Sequence, residues 1–216
     1  MTPSEILSHV DHTLLKPVAS WDDIQTICEE AIEYKTASIC IPSCYVKRIK
    51  ETYGDKLNIC TVVGFPLGYA NTDAKLAETE QALEDGASEI DMVINICDVK
   101  NGDYDKVTAE IAALKHICGD KILKVIIETC FLTKEEKIAM CKAVTAAGAD
   151  FIKTSTGFGT AGATLEDVLL FKENIGPKVK IKAAGGIRTQ ADMEAYLAAG
   201  CERIGCSSAV ALFKNA

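Results

Sequence analysis

Ala149-Asp150-Phe151-Ile152-Lys153-Thr154-Ser155-Thr156-Gly157 and Val179-Lys180-Ile181-Lys182-Ala183-Ala184-Gly185-Gly186 are two short runs, mostly apolar or small, that end in glycine. Buried strands of a parallel sheet read this way. Each run carries a lysine, Lys153 in one and Lys182 in the other. An ammonium inside a sheet is costly unless it is paired or loses its proton. Two facing one cavity would repel, and the least costly relief is for one to become a neutral amine. A neutral amine attacks carbonyl carbon. The pair therefore points to Schiff-base chemistry.

Six further runs have the same character: Val10–Leu15, Ser38–Ile41, Asn58–Gly64, Glu89–Asn95, Leu123–Thr129 and Arg203–Cys206. Helical periodicity fills the gaps, as in Ile24, Ile27, Cys28, Ala31 and Ile32, or Val107, Ile111, Leu114 and Cys118. Ser20, Thr133, Thr164 and Thr189 each precede a carboxylate by three residues, a pattern close to a capping box. Gly54, Gly86, Gly119, Gly148, Gly176 and Gly200 follow helical stretches and suit a left-handed helix stop. About eight strand–helix units in 216 residues, without a change of composition between them, predict a single domain. The α/β class it belongs to is a closed (β/α)8 TIM barrel; an open doubly wound sheet is the alternative.

The composition is that of a globular protein, 48% hydrophobic and 25% charged, with a net charge of -8 and no basic cluster. Nucleic acid and anionic membrane surfaces are poor partners for it. The polar start Met1-Thr-Pro-Ser-Glu5 does not resemble a signal peptide, and no apolar run reaches membrane-spanning length, so a cytoplasmic protein is expected. Ten cysteines include no Cys-x-x-Cys pair and read as reduced packing residues.

In a barrel the functional strand ends are the C-terminal ones. Asp91 shares parity with Val93 and Asn95, so an inward lysine would be its partner. It is either a structural counter-ion to Lys182 or a carboxylate that moves protons through water. Ala184-Gly185-Gly186-Ile187-Arg188 and Ile204-Gly205-Cys206-Ser207-Ser208 look built for phosphate, because glycine lets backbone N–H groups approach an anion and the second run opens the last helix. Arg188 would contact the anion or pair on the surface. Gly157-Phe-Gly159-Thr-Ala-Gly162 matches a dinucleotide-binding pattern, but the following strand offers no acid for a ribose. A flexible loop beside the lysine strand is the better account. His9, Asp11 and His12 have only His116 as a further histidine, too few converging ligands for a metal. Asp11 faces the barrel interior or pairs with a helix end. Cys40 ends a strand and can reach the pocket, without an obvious histidine to make it a nucleophile.

Val10-Asp11-His-Thr-Leu-Leu-Lys-Pro17, Glu89-Ile-Asp91-Met-Val-Ile-Asn95, Phe151-Ile-Lys153-Thr-Ser-Thr-Gly157, Ile181-Lys182-Ala-Ala-Gly-Gly-Ile-Arg188 and Arg203-Ile-Gly205-Cys-Ser-Ser208 together resemble the signatures of the deoxyribose-phosphate aldolase family. The resemblance runs from near residue 10 to near residue 208. It implies a class I aldolase on a (β/α)8 barrel that reversibly cleaves 2-deoxy-D-ribose 5-phosphate to D-glyceraldehyde 3-phosphate and acetaldehyde in deoxynucleoside breakdown. By resemblance Lys153 forms the Schiff base, and Lys182 perturbs it and shares proton work with Asp91. Gly185, Gly186, Gly205, Ser207 and Ser208 would hold the phosphate, and Asp11, Thr13, Cys40, Thr154 and Thr156 are expected in the pocket. No cofactor or metal is expected, and a homodimer or homotetramer is. Cys206 stands where the family often has Thr or Ala. The tail, Phe213-Lys-Asn-Ala216, lacks a terminal tyrosine that some members use in proton transfer, which bears on the tail's part in that step. The rivals are another phosphosugar class I aldolase or a transaldolase, and a phosphosugar-binding sensor.

Overall fold

The computed structural model describes residues 1–214; Asn215 and Ala216, the end of the tail, lie outside the described residues. Eight parallel strands close on themselves in chain order. They are β1 (Val10–Thr13), β2 (Ser38–Ile41), β3 (Ile59–Val63), β4 (Glu89–Val93), β5 (Ile122–Ile126), β6 (Phe151–Lys153), β7 (Lys180–Ala184) and β8 (Arg203–Cys206), with β8 pairing β1. The outer helices are α1 (Pro3–Leu7), α2 (Trp21–Tyr34), α3 (Val46–Tyr53), α4 (Thr72–Glu84), α5 (Ile96–Lys100), α6 (Tyr104–Cys118), α7 (Lys134–Ala146), α8 (Leu165–Asn174), α9 (Gln190–Ala199) and α10 (Ala209–Phe213). The barrel expectation holds; the open sheet does not. Several runs expected to be longer, such as Val10–Leu15 and Phe151–Thr156, leave the sheet early, and the residues beyond form the mouth.

Alternation along each strand separates two environments. Ile39, Ile41, Ile90, Met92, Leu123, Val125, Ile152, Ile181 and Ile204 face the helices and join one continuous apolar core with Ile24, Ile111, Leu114, Val144 and Val168. Each such side chain contributes on the order of 1.5–3 kcal/mol by leaving water. The alternate positions face inward. Among the described residues Cys40, Cys60 and Val62 make an apolar cluster there, with Leu15 and Phe65 packed against it. The middle of the interior is charged, with Asp11, Glu89, Asp91, Lys124, Lys153 and Lys182 all buried there.

The helix starts follow the sequence signals. Ser20, Thr133 and Thr189 form complete capping boxes with Asp23, Glu136 and Asp192, and Thr164 accepts from the Asp167 N–H. Gly54, Gly119 and Gly200 cap helices at positive φ. Gly176 differs. Helix α8 stops one residue earlier, on extended Ile175, and Gly176 is needed because an added Cβ would stand 2.5 Å from the Thr145 methyl.

Candidate active site

Three lysines, not two, meet inside the barrel. Register explains how. Lys153 on β6 stands opposite Lys182 on β7, which stands opposite Arg203 on β8. Lys124 on β5 stands opposite Asp91 on β4, and the Cα partner of Asp11 on β1 is Gly205. All these side chains point to the axis.

Asp91 is the hub. Its Oδ2 accepts from Lys153 Nζ at 2.7 Å and from Lys182 Nζ at 2.7 Å. Its Oδ1 accepts from Lys124 Nζ at 2.8 Å and from the Cys60 thiol at 3.2 Å. Lys182 also bonds Asp11, and Lys124 reaches Glu89 at 2.6 Å. Arg203 bridges Asp11 and Glu89, the latter at 2.9 Å. Asp11 further accepts from Ser38 Oγ at 2.7 Å.

These contacts fix the charge states of most members. Burial by itself would raise the Asp91 carboxyl, but Lys124, Lys153 and Lys182 outweigh it and hold that group well below the carboxylate range. Asp11 is held down in the same way, against its burial, by Lys124, Lys182 and Arg203. Burial would strip Lys182 of its proton, yet Asp11 and Asp91 outweigh burial and raise it well above a free lysine. Lys124 is raised too, with Asp11 and Asp91 again outweighing burial. The fixed ions are therefore Asp91, Asp11, Lys182 and Lys124.

Above this cluster a cavity of about 520 Å³ opens at the C-terminal strand ends. Its wall includes Lys153 but neither Lys182 nor Lys124, which are completely buried. One amine of the three therefore faces the opening. Around the rim lie Thr13, Thr156, Gly157, Gly185, Gly186, Arg188, Gly205, Ser207 and Ser208. Gly205 cannot carry a side chain, since a Cβ would sit 2.9 Å from that of Ala184 and 3.3 Å from Lys182 Cε. The backbone there lies directly on the Lys182 stem.

This arrangement of ions and cavity is accompanied by a match over most of the chain. Residues 6–210 match the model of the DeoC/LacD family of aldolases. The chain belongs to that family. It is 72% identical over 215 residues to a deoxyribose-phosphate aldolase of Clostridium botulinum (strain Alaska E43 / Type E3), covering 100% of this chain and 97% of that one. A deoxyribose-phosphate aldolase of Clostridioides difficile is 55% identical over 97% of this chain and 96% of its own. Among solved structures, a putative deoxyribose-phosphate aldolase from Coccidioides immitis superposes with a TM-score of 0.94 at 38% identity, over 100% of this chain and 87% of that one. The tetrameric deoxyribose phosphate aldolase from Aeropyrum pernix gives 0.92 at 30%, over 99% and 92%.

Within this DeoC/LacD barrel, Lys153, Lys182 and Asp91 come together, and Gly185, Gly186, Gly205, Ser207 and Ser208 share one cavity wall. Thr13 and Thr156 join them. Three residues expected in the pocket do not border the cavity. Thr154 is buried, its hydroxyl donating to the Ala184 carbonyl and accepting from the Ala184 N–H, both at 3.1 Å, so it ties β6 to β7. Cys40 is buried opposite Cys60 and beside Asp91, and Asp11 faces the interior but lies behind Lys182. Cys40, Cys60 and Asp91 bring three potential ligand atoms within 4.8 Å of one another, but the Asp91 oxygens already carry ammonium groups that a dication would have to displace. His12, on the other face of β1, bonds Glu30 at 2.6 Å. Arg188 borders the cavity. Lys124, Glu89 and Arg203 were not anticipated. Parity was the available signal: Lys124 lies two residues before Ile126 in an apolar strand, as Asp91 lies two before Val93.

Proposed function

We propose that the chain is a class I aldolase that cleaves 2-deoxy-D-ribose 5-phosphate, reversibly, to D-glyceraldehyde 3-phosphate and acetaldehyde, with Lys153 as the Schiff-base residue. The observation that carries this reading is a charge count. The interior network contains Lys124, Lys153, Lys182 and Arg203 against Asp11, Glu89 and Asp91, one cation in excess. Three of the cations are held by two or more carboxylates each. Lys153 has Asp91 alone and borders the cavity. Removing its proton leaves the network neutral, so Lys153 is the member that serves as a free amine.

Phosphate docks on the turns Gly185–Gly186 and Gly205–Ser208, with Arg188 beside them, and the open-chain aldehyde carbon comes over Lys153. The amine adds, water leaves and an iminium forms, which restores the charge that the amine gave up. The C3 hydroxyl proton departs, the C2–C3 bond breaks, and its electron pair enters the iminium as an enamine. Glyceraldehyde 3-phosphate leaves. The enamine carbon takes a proton, and hydrolysis releases acetaldehyde and the amine. When Lys153 nitrogen bonds to carbon, it loses protons that it had donated to Asp91 Oδ2. That oxygen then has room to accept from a water or from the substrate hydroxyl. Asp91 and the neighbouring Lys182 ammonium thus serve the proton steps through such a water. The iminium does the polarising that a metal would do, so the reaction needs no cofactor.

Borohydride added with deoxyribose 5-phosphate locks an adduct onto Lys153, located by peptide mass mapping, and acetaldehyde appears in its absence. An adduct elsewhere, or none, overturns the assignment. We also infer a homodimer or homotetramer, supported by the tetrameric relative. A cytoplasmic setting is supported by ten unpaired cysteines. Among the described residues no helix is long and apolar enough to cross a membrane.

A further inference from the structure

Glu128 is the second residue beyond β5, and it is nearly completely buried. Its φ is 51°, in the left-handed region that a residue with a side chain adopts only at a cost. Among the described residues the other non-glycine one there, Lys35, caps the end of α2. Glu128 ends no helix. Its carboxylate accepts from the Thr156 N–H at 3.2 Å and from the Thr156 hydroxyl. That hydroxyl in turn accepts from the Phe158 N–H at 3.0 Å. The hydroxyl's only proton is thereby committed to Glu128 and one of its lone pairs to the loop backbone. Gly159 packs onto the same carboxylate, since a Cβ there would stand 3.1 Å from Glu128 Cδ. The loop then returns to β7, where the Ala163 N–H bonds the Ala184 and Gly185 carbonyls, each at 3.1 Å.

Glu128 does not border the cavity, whereas Thr156 and Gly157 do, on the wall they share with Gly185 and Gly186. We propose that Glu128 is a positioning residue: through Thr156 it holds the Thr156–Gly157 turn in the shape that receives the phosphate-bearing end of the substrate. This rests on the reading of the site as a phosphosugar aldolase. The buried carboxylate, gripping the loop three residues after Lys153, couples β5 to the rim where the anion sits.

The test compares kcat/KM for 2-deoxy-D-ribose 5-phosphate with that for 2-deoxy-D-ribose, which lacks the phosphate. Glu128→Ala lowers the ratio of the two by about tenfold, through KM for the phosphorylated sugar and with kcat retained. Inorganic phosphate inhibits this variant more weakly than it inhibits the wild type. Thr156→Val has the same effect, Thr156→Ser keeps the wild-type ratio, and the double variant Glu128→Ala/Thr156→Val is no worse than either single change, because both cut one chain of contacts. A merely structural role would lower both substrates alike and leave the ratio unchanged. That result, or additive losses in the double variant, overturns the proposal. If Glu128→Ala does not fold, Thr156→Val carries the comparison. If the wild type turns over neither sugar, the aldolase reading has failed, and inorganic phosphate binding measured by calorimetry on the same variants still decides the role of Glu128.

Discussion

Replacing Lys124 by Met removes one interior cation without touching the cavity wall. Lys124 and Lys153 donate to opposite oxygens of Asp91, at 2.8 and 2.7 Å. Two unit charges so placed are roughly 7 Å apart and repel by about 2 kcal/mol at an effective dielectric constant near 20. At about 1.4 kcal/mol per pH unit, losing that repulsion moves the acid limb of the kcat/KM profile up by about 1.5 pH units. At neutral pH the variant is then about thirtyfold slower and recovers part of the loss in alkali. The substitution also leaves Glu89 and Asp91 short of a partner, which lowers stability by about 3–5 kcal/mol. The assay is therefore run well below the melting temperature, with Lys124→Arg as the charge-keeping control. A Lys124→Met profile that superimposes on the wild type refutes the charge count on which the mechanism stands.

Two other perturbations test different parts of the molecule. Gly162→Ala places a Cβ 2.2 Å from the Gly185 carbonyl oxygen, backbone against backbone, so the loop and the glycine turn must separate. We expect KM for the phosphorylated sugar to rise at least tenfold, measured by acetaldehyde release, at a stability loss of about 1–3 kcal/mol. The thiols of Cys28, Cys141 and Cys201 are pushed up by burial to about 12, and that of Cys118 to about 11, from an ordinary 9.0. The folded state keeps these protons where the unfolded chain gives them up. Their stabilisation is complete below pH 9 and drains away towards pH 11–12, by up to about 1.4 kcal/mol per thiol per pH unit. The slope of chemical-denaturation stability against pH between 9 and 11 is therefore shallower in Cys141→Ala than in the wild type. Parallel slopes would contradict this.

The fold was legible because most strands are short, largely apolar or small runs with a turn signal behind them, and because helix starts such as Ser20 and Thr189 carry their own caps. The glycine turns at 185–186 and 205 were legible for the same local reason. Lys153 and Lys182 stood out since their neighbours are uniformly apolar or small. Lys124 sits in an equally apolar strand but has no glycine beyond it, and Glu89 and Arg203 sit at strand starts, where charges are ordinary. What joins them is the stagger between strands. It sets Asp91 opposite Lys124 and Lys182 opposite Arg203, and it belongs to the closed barrel rather than to any one segment. The same stagger packs Cys40 against Cys60 and Asp91.

Because the main apolar core lies between sheet and helices, and ion pairs cross the middle of the barrel, its axis behaves like a small ionic lattice. Sites in a lattice cannot be exchanged singly. A lineage that loses Glu89 must shed Arg203 or Lys124 with it to avoid burying a cation short of its partner, so change along this axis should proceed by matched pairs, and an engineer who retunes the nucleophile should substitute an anion and a cation together.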